Sequence, residues 1–148
     1  MGQVGVQLML DPPKEGRESS ECVELYNSQR NAIYKGMQER ALLLSDTFNS
    51  MTNLTSNVIE GAMYAFPRVH FSDKALAEAE RNNVPADFMY CMDMLLNTGI
   101  MTVPGSGFGQ VDGTYHFRIT NLVSPTEELV KTLDLLKDFN NEFHSKYS

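Results

Sequence analysis

The stretch VPGSGFGQVDGTYHFRIT, Val103 to Thr120, holds the residues best suited to chemistry. Gly105, Gly107 and Gly109 crowd a loop, and Arg118 sits in the strand-like run that follows. Glycines let backbone approach a ligand closely, and such a loop cradles phosphate when a helix N-terminus comes next. Here a strand comes next. The G-x-G-x-G spacing fits neither the dinucleotide fingerprint nor the Walker loop, which also needs a Lys and a Ser or Thr. A flexible strand connection and a loop that closes over a substrate both remain open. In the strand, Phe117 and Ile119 alternate with His116 and Arg118, so the two pairs face opposite sides. A half-buried guanidinium needs an anionic partner, because desolvating it alone is costly. That partner is either an Asp or Glu of the same domain or the carboxylate of a ligand held by two parallel hydrogen bonds.

No other constellation competes. His70, His116 and His144 lack metal spacing, and neither Cys22 nor Cys91 belongs to a C-x-x-C pair. There is no G-x-S-x-G elbow. No catalytic, cofactor-binding or metal-ligating residue is therefore assigned. Met89, Met92 and Met94 read as core filling.

The elements that must position Arg118 follow from periodicity. Val23, Tyr26, Ile33, Met37, Ala41, Leu44 and Phe48 predict one face of a long helix that Ser19 or Ser20 caps. VIEGAMYAFPRVHF predicts a bent strand pair, with Pro67 marking an edge or a bulge. Ser72 caps a short, largely solvated helix. PADFMYCMDMLLNTG predicts a helix with Phe88, Cys91, Met92, Leu95 and Leu96 as its apolar stripe, closed by Gly99. IMTV and TYHFRIT are strands. Ser124-Pro125-Thr126-Glu127 reads as a capping box opening a last helix, whose Leu129, Leu133, Leu136, Phe143 and Tyr147 face the core. The order predicts a two-layer α/β (α+β) domain: a small, mostly antiparallel sheet packed by helices. Val4, Val6, Leu8, Met9 and Leu10 make an apolar run that two prolines stop, and residues 1–18 are expected to be an extended interdomain arm ahead of a domain at 19–148.

One domain's worth of chain carries a net charge of −7. That balance argues against a nucleic-acid binder, which needs a basic face. No run approaches bilayer length, and no membrane association is expected. MGQVGV lacks the Ser or Thr of a myristoylation site, having Val6 there. NLT at Asn53 matches a glycosylation acceptor but has no secretory signal before it. Cys22 and Cys91, both in apolar helical patterns, read as reduced core thiols rather than a disulfide, so a cytoplasmic setting is expected, with the mitochondrial matrix as the alternative.

EGAMYAFPR, FMYCMDMLLNTGI, VPGSGFGQ and GTYHFRIT, together with DPPKEG, resemble the C-terminal portion of the alanine aminotransferases, pyridoxal-phosphate enzymes of fold type I. The resemblance runs nearly the whole chain in order. It implies the small domain of that fold, in an enzyme that works as a homodimer on small amino and keto acids. It also implies that Arg118 grips the substrate α-carboxylate. The loop with Gly105 and Ser106 then borders the substrate mouth, while Gly61 and Tyr64 lie on the strand segment facing the cofactor side. The Schiff-base lysine, the acid for the pyridine nitrogen and the phosphate cup belong to the large domain of the family. Lys14, Lys35, Lys74, Lys131, Lys137 and Lys146 sit in loops or at polar helix positions, none in a serine-flanked setting like the family's. The expectation is a fragment that binds no pyridoxal phosphate and is inactive without the missing large domain or a complementary chain. Two other readings stay open: a non-catalytic interaction module using Val4–Leu10 and the long helix, and a small-carboxylate-binding domain.

Overall fold

The structure is a computed structural model that describes residues 2–148. Its contacts group into two units, one ending at Gly36 and one running Met37–Ser148.

In the first unit, Gly2–Leu10 is a helix, α1, with no buried residue. The expectation of an extended arm does not hold there. Gln3, Gln7, Leu8, Met9 and Leu10 are good helix formers, and together they offset the cost of Gly5. The helix stops at Asp11, just before the two prolines that remove donors and bar helical backbone. Asp11 then pairs with Lys14 and Arg17. Hydrogen bonds from both cations hold its carboxyl down at about 2, far below the ordinary carboxylate range.

Helix α2, Ser20–Ser50, starts in the first unit and ends in the second. The Ser19 hydroxyl accepts from the Cys22 amide at 3.3 Å, so the expected cap forms. The single long apolar face is only partly realised. Val23, Ala41, Leu44 and Phe48 are buried, but Ile33 is 63% exposed. The buried run begins just past Gly36, where the second unit supplies something to pack on.

That unit holds a five-stranded sheet whose pairings are all antiparallel. Its strands are β1 Leu54–Thr55, β2 Tyr64–Ala65, β3 Arg68–Val69, β4 Val103–Pro104 and β5 Tyr115–Thr120. β2 and β3 do not pair with each other, as a bent hairpin would. Both pair with β5, Tyr64 opposite Thr120 and Arg68 opposite His116, in one common register. They are two pieces of one line, interrupted where Pro67 lacks its N–H; the Pro67 carbonyl still accepts from Phe117 at 3.2 Å. Of IMTV only Val103 is in a strand, as the first of the two residues of β4.

Three further helices follow, α3 Asp73–Arg81, α4 Ala86–Thr98 and α5 Thr126–Lys146; α4 packs on β4 and β5, α3 and α5 pack on α4, and Phe48 of α2 meets Phe117 of β5 edge-on. Ser72 caps α3 as expected, and Gly99 closes α4 with φ 77°, a left-handed conformation that glycine adopts without penalty. The capping box at α5 is not made. Pro125 occupies the cap position and has no side-chain acceptor to offer. The α4 stripe also differs: Phe88, Met92 and Leu96 are exposed, whereas Asp87, Met89, Tyr90, Cys91 and Met94 are buried. Tyr90 joins Phe117, Phe139 and Phe143 in an aromatic core with ring centroids 5.0–5.8 Å apart. Its hydroxyl donates to Asn140 at 2.9 Å, so the polar end of the ring is satisfied. Leu129, Leu133, Leu136 and Phe143 of α5 face this core, and Tyr147 packs at its edge. Of the two cysteines expected in the core, Cys91 is buried, which pushes its thiol up to about 11, whereas Cys22 is exposed. No helix of the described residues is long and apolar enough to cross a membrane.

Candidate functional site

β5 alternates as its sequence predicts. Phe117 and Ile119 are buried on the helix side, and His116, Arg118 and Thr120 lie half-buried on the other. Cross-strand neighbours share a face, so Tyr64, Phe66 and Arg68 line the same side as Arg118. The Arg118 guanidinium carbon sits 4.5 Å from the Tyr64 ring centroid and 4.9 Å from that of Phe108. A guanidinium held over aromatic faces gains cation–π attraction and keeps N–H donors that can meet a planar acceptor. Among the described residues no carboxylate pairs with Arg118. The same-domain partner expected as one alternative is therefore not found.

Phe108 reaches Arg118 because of the glycine loop. Gly105–Phe108 forms a single 3-10 turn, and Gly109 follows with φ 69°. Asp87, in the first turn of α4 and 1% exposed, anchors this turn: its Oδ2 accepts from the Ser106 amide at 2.5 Å and from Gln110 Nε2 at 3.0 Å. Gln110 Oε1 lies 3.0 Å from His116 Nδ1. The His116 ring stacks on Phe66 with centroids 4.8 Å apart and planes 3° from parallel, and Phe66 meets Phe108 edge-on at 5.8 Å. Burial, then the charge of Arg68, lowers the His116 pKa from the ordinary imidazole value, against an opposing pull from Asp87.

Gly105 is required for steric reasons. A Cβ there would overlap Gln110 Oε1 and lie 2.9 Å from both the Cβ and the backbone oxygen of His116. Gly105→Ala should therefore push the loop off β5 and cost about 1–3 kcal/mol. Chemical denaturation would read that loss, and the His116 and Phe108 signals in NMR would shift with it. A variant as stable as the parent with unmoved signals would contradict the close packing.

The far end of β5 is held separately. Arg40 of α2 is buried and its Nε donates to the Asn121 carbonyl at 2.8 Å, while the Asn121 amide donates to Met63 at 3.0 Å. These bonds fix the chain that leads into Tyr64.

No family model matches the chain. Alanine aminotransferase 2 of Xenopus laevis is 40% identical over 147 residues, which cover 99% of this chain and 26% of that protein. A Saccharomyces cerevisiae protein described as an inactive alanine aminotransferase is 44% identical over 146 residues, 99% of this chain and 27% of its own length. Among solved structures, an alanine aminotransferase of Pyrococcus furiosus superposes with a TM-score of 0.59 at 28% identity, over 73% of this chain and 24% of that one. The chain is related to the alanine aminotransferases. It spans about a quarter of the length of the curated relatives it matches.

The relationship agrees with the motifs, and the residues singled out within them fall as follows. Tyr64, Arg118 and the loop with Gly105 and Ser106 come together on one face of the sheet. Ser106 takes part through its amide, and its side chain is exposed. Gly61 lies in the exposed bend before β2, with open space where a Cβ would stand. Phe108, Phe66, Asp87, Gln110 and Arg40 were not foreseen; each acts through a partner far along the sequence, as Asp87 does 19 and 23 residues away. The six lysines are all exposed. No group of three or more His, Cys, Asp or Glu among the described residues could hold a metal ion.

Proposed function

We propose that this chain supplies the substrate-carboxylate clamp of an alanine aminotransferase, the enzyme class that converts L-alanine and 2-oxoglutarate into pyruvate and L-glutamate. Arg118 grips the α-carboxylate through its in-plane donors. Tyr64 holds one side of the guanidinium, Gly105 and Ser106 carry the loop that brings Phe108 to it, and Gly61 lets the chain bend at the rim. The observation that carries this reading is the half-buried Arg118 guanidinium against two aromatic rings, Tyr64 and Phe108, with no carboxylate of the described residues on it.

Pyridoxal phosphate, the cofactor that the relationship implies, needs a lysine amine, an acid at its ring nitrogen and a phosphate cup. The residues present do not fit it. All six lysines are exposed, and the buried carboxylate beside the loop, Asp87, is committed to Ser106 and Gln110. Cofactor binding is thus assigned to residues outside these 148, in a large domain or complementary chain, within a homodimer in the cytoplasm or the mitochondrial matrix.

Mixed with pyridoxal phosphate, L-alanine and 2-oxoglutarate, the isolated chain is expected to form no pyruvate. It is expected to bind glutamate, with NMR shifts at Arg118, Tyr64 and Phe108. Pyruvate formation would overturn the division of labour, and the absence of any carboxylate binding would overturn the clamp.

A further inference from the structure

We propose that Asp87 is a positioning residue for the Arg118 site: it orients Gln110, which fixes the tautomer of His116 and pins the glycine loop so that Phe108 stays on Arg118. The proposal rests on reading Arg118 as a carboxylate clamp.

The orientation follows from donor and acceptor types alone. An ionised carboxylate only accepts hydrogen bonds. Asp87 Oδ2 already takes the Ser106 amide, so the group that Gln110 turns toward it must be the amide nitrogen. The Gln110 carbonyl is thereby turned to His116 Nδ1. A carbonyl also only accepts, so Nδ1 carries the hydrogen and the neutral ring leaves Nε2 bare. The charge of Asp87 thus selects one of two His116 tautomers through one intervening amide. From His116 the contacts run by stacking to Phe66, edge-on to Phe108, and from Phe108 to the guanidinium. The charged and titratable groups around His116 are Arg68 and His70 from the β3 side and Asp87 from α4.

A second observation separates this role from core packing. Asp87 Oδ1 is buried with no hydrogen-bond partner. Desolvating a carboxylate oxygen without a hydrogen bond is costly, although the positive end of α4, where Asp87 stands, favours the charge. Both bonds that offset this cost go to the loop, at Ser106 and Gln110.

The test is nitrogen-15 NMR of the His116 ring in the full chain, with glutamate titrations of the parent, Gln110→Ala and Asp87→Asn. Gln110 is half-buried and outside the core, so its variant is expected to fold. The parent should show the Nδ1–H tautomer. Gln110→Ala should shift the ring toward Nε2–H and weaken glutamate binding roughly tenfold, the scale of one hydrogen bond to a charged group. Asp87→Asn keeps an acceptor for Ser106 but lets Gln110 turn over, so mixed tautomers and an intermediate loss are expected. A purely structural Asp87 would lower stability and leave the tautomer alone. An Nε2–H parent, an unmoved tautomer in both variants, or a moved tautomer with affinity within about twofold of the parent would each overturn the proposal. A parent that binds no carboxylate overturns the Arg118 reading, and this one falls with it; an unmoved tautomer overturns this one alone.

Discussion

Replacing Arg118 with glutamine is expected to abolish saturable glutamate binding, a loss of about a hundredfold or more. Two parallel charge-assisted hydrogen bonds contribute roughly 1.5–3 kcal/mol each, and every 1.4 kcal/mol or so is tenfold in affinity. Glutamine keeps an amide donor but is shorter and has neither the charge nor the fork. Arg118→Lys tests the fork separately, because an ammonium is a point charge that stacks poorly between Tyr64 and Phe108. It should recover only part of the binding. The fold should tolerate both changes: the side chain is half-buried, and each ring contact is worth about 0.5–1 kcal/mol at an exposed site. Arg68→Gln serves as the control, since Arg68 is on the same face but opposite His116. Its removal weakens the general positive field, with an expected effect below about threefold. NMR titration following the Tyr64 and Phe108 ring signals, which all the variants keep, would decide the matter, and an Arg118→Gln variant that binds like the parent would end the clamp reading.

How much of this was legible differs from element to element. The period-two pattern of TYHFRIT placed Arg118 and His116 on one face and Phe117 and Ile119 on the other, because a strand's side-chain period leaves no third choice. The apolar positions of α5 were legible for the analogous reason. The face of α4 was not. Ranking by apolarity selects Phe88, Met92 and Leu96 and passes over Asp87 and Tyr90, whose polar ends look unfit for burial. Their burial becomes permissible through partners 19, 23 and 50 residues away, and no local pattern announces those. The site divides in the same way. The arginine and the glycines were visible as types and spacing, whereas Phe108 is set on the guanidinium by a loop fastened to another helix.

The most destabilising single change argued from the polar core is Asn140→Leu. Asn140 is fully buried; it accepts from the Tyr90 hydroxyl and donates to the Thr52 carbonyl, both at 2.9 Å. Leucine of similar size strands the buried Tyr90 hydroxyl, at about 1–3 kcal/mol, and removes the bond to the Thr52 carbonyl, which water can replace because Thr52 is exposed, at about 0.5–1.5 kcal/mol. The expected loss is thus about 1.5–4.5 kcal/mol, a large share of the roughly 5–15 kcal/mol that stabilises a domain. Tyr90→Phe should cost less, because Asn140 keeps Thr52. Adding Tyr90→Phe to Asn140→Leu should be partly compensating, since the stranded hydroxyl is gone and residues in one network do not add. Urea denaturation followed by circular dichroism would read these differences, and strict additivity would show that the network is not shared. Glutamate affinity of the folded fraction should stay near the parent's, because neither Asn140 nor Thr52 belongs to the chain of contacts from Asp87 to Arg118. Arg118→Gln should give the opposite pattern, with binding lost and stability kept. If Asn140→Leu also abolished binding while the chain remained folded, the clamp would depend on the aromatic core directly rather than on the Asp87 anchor.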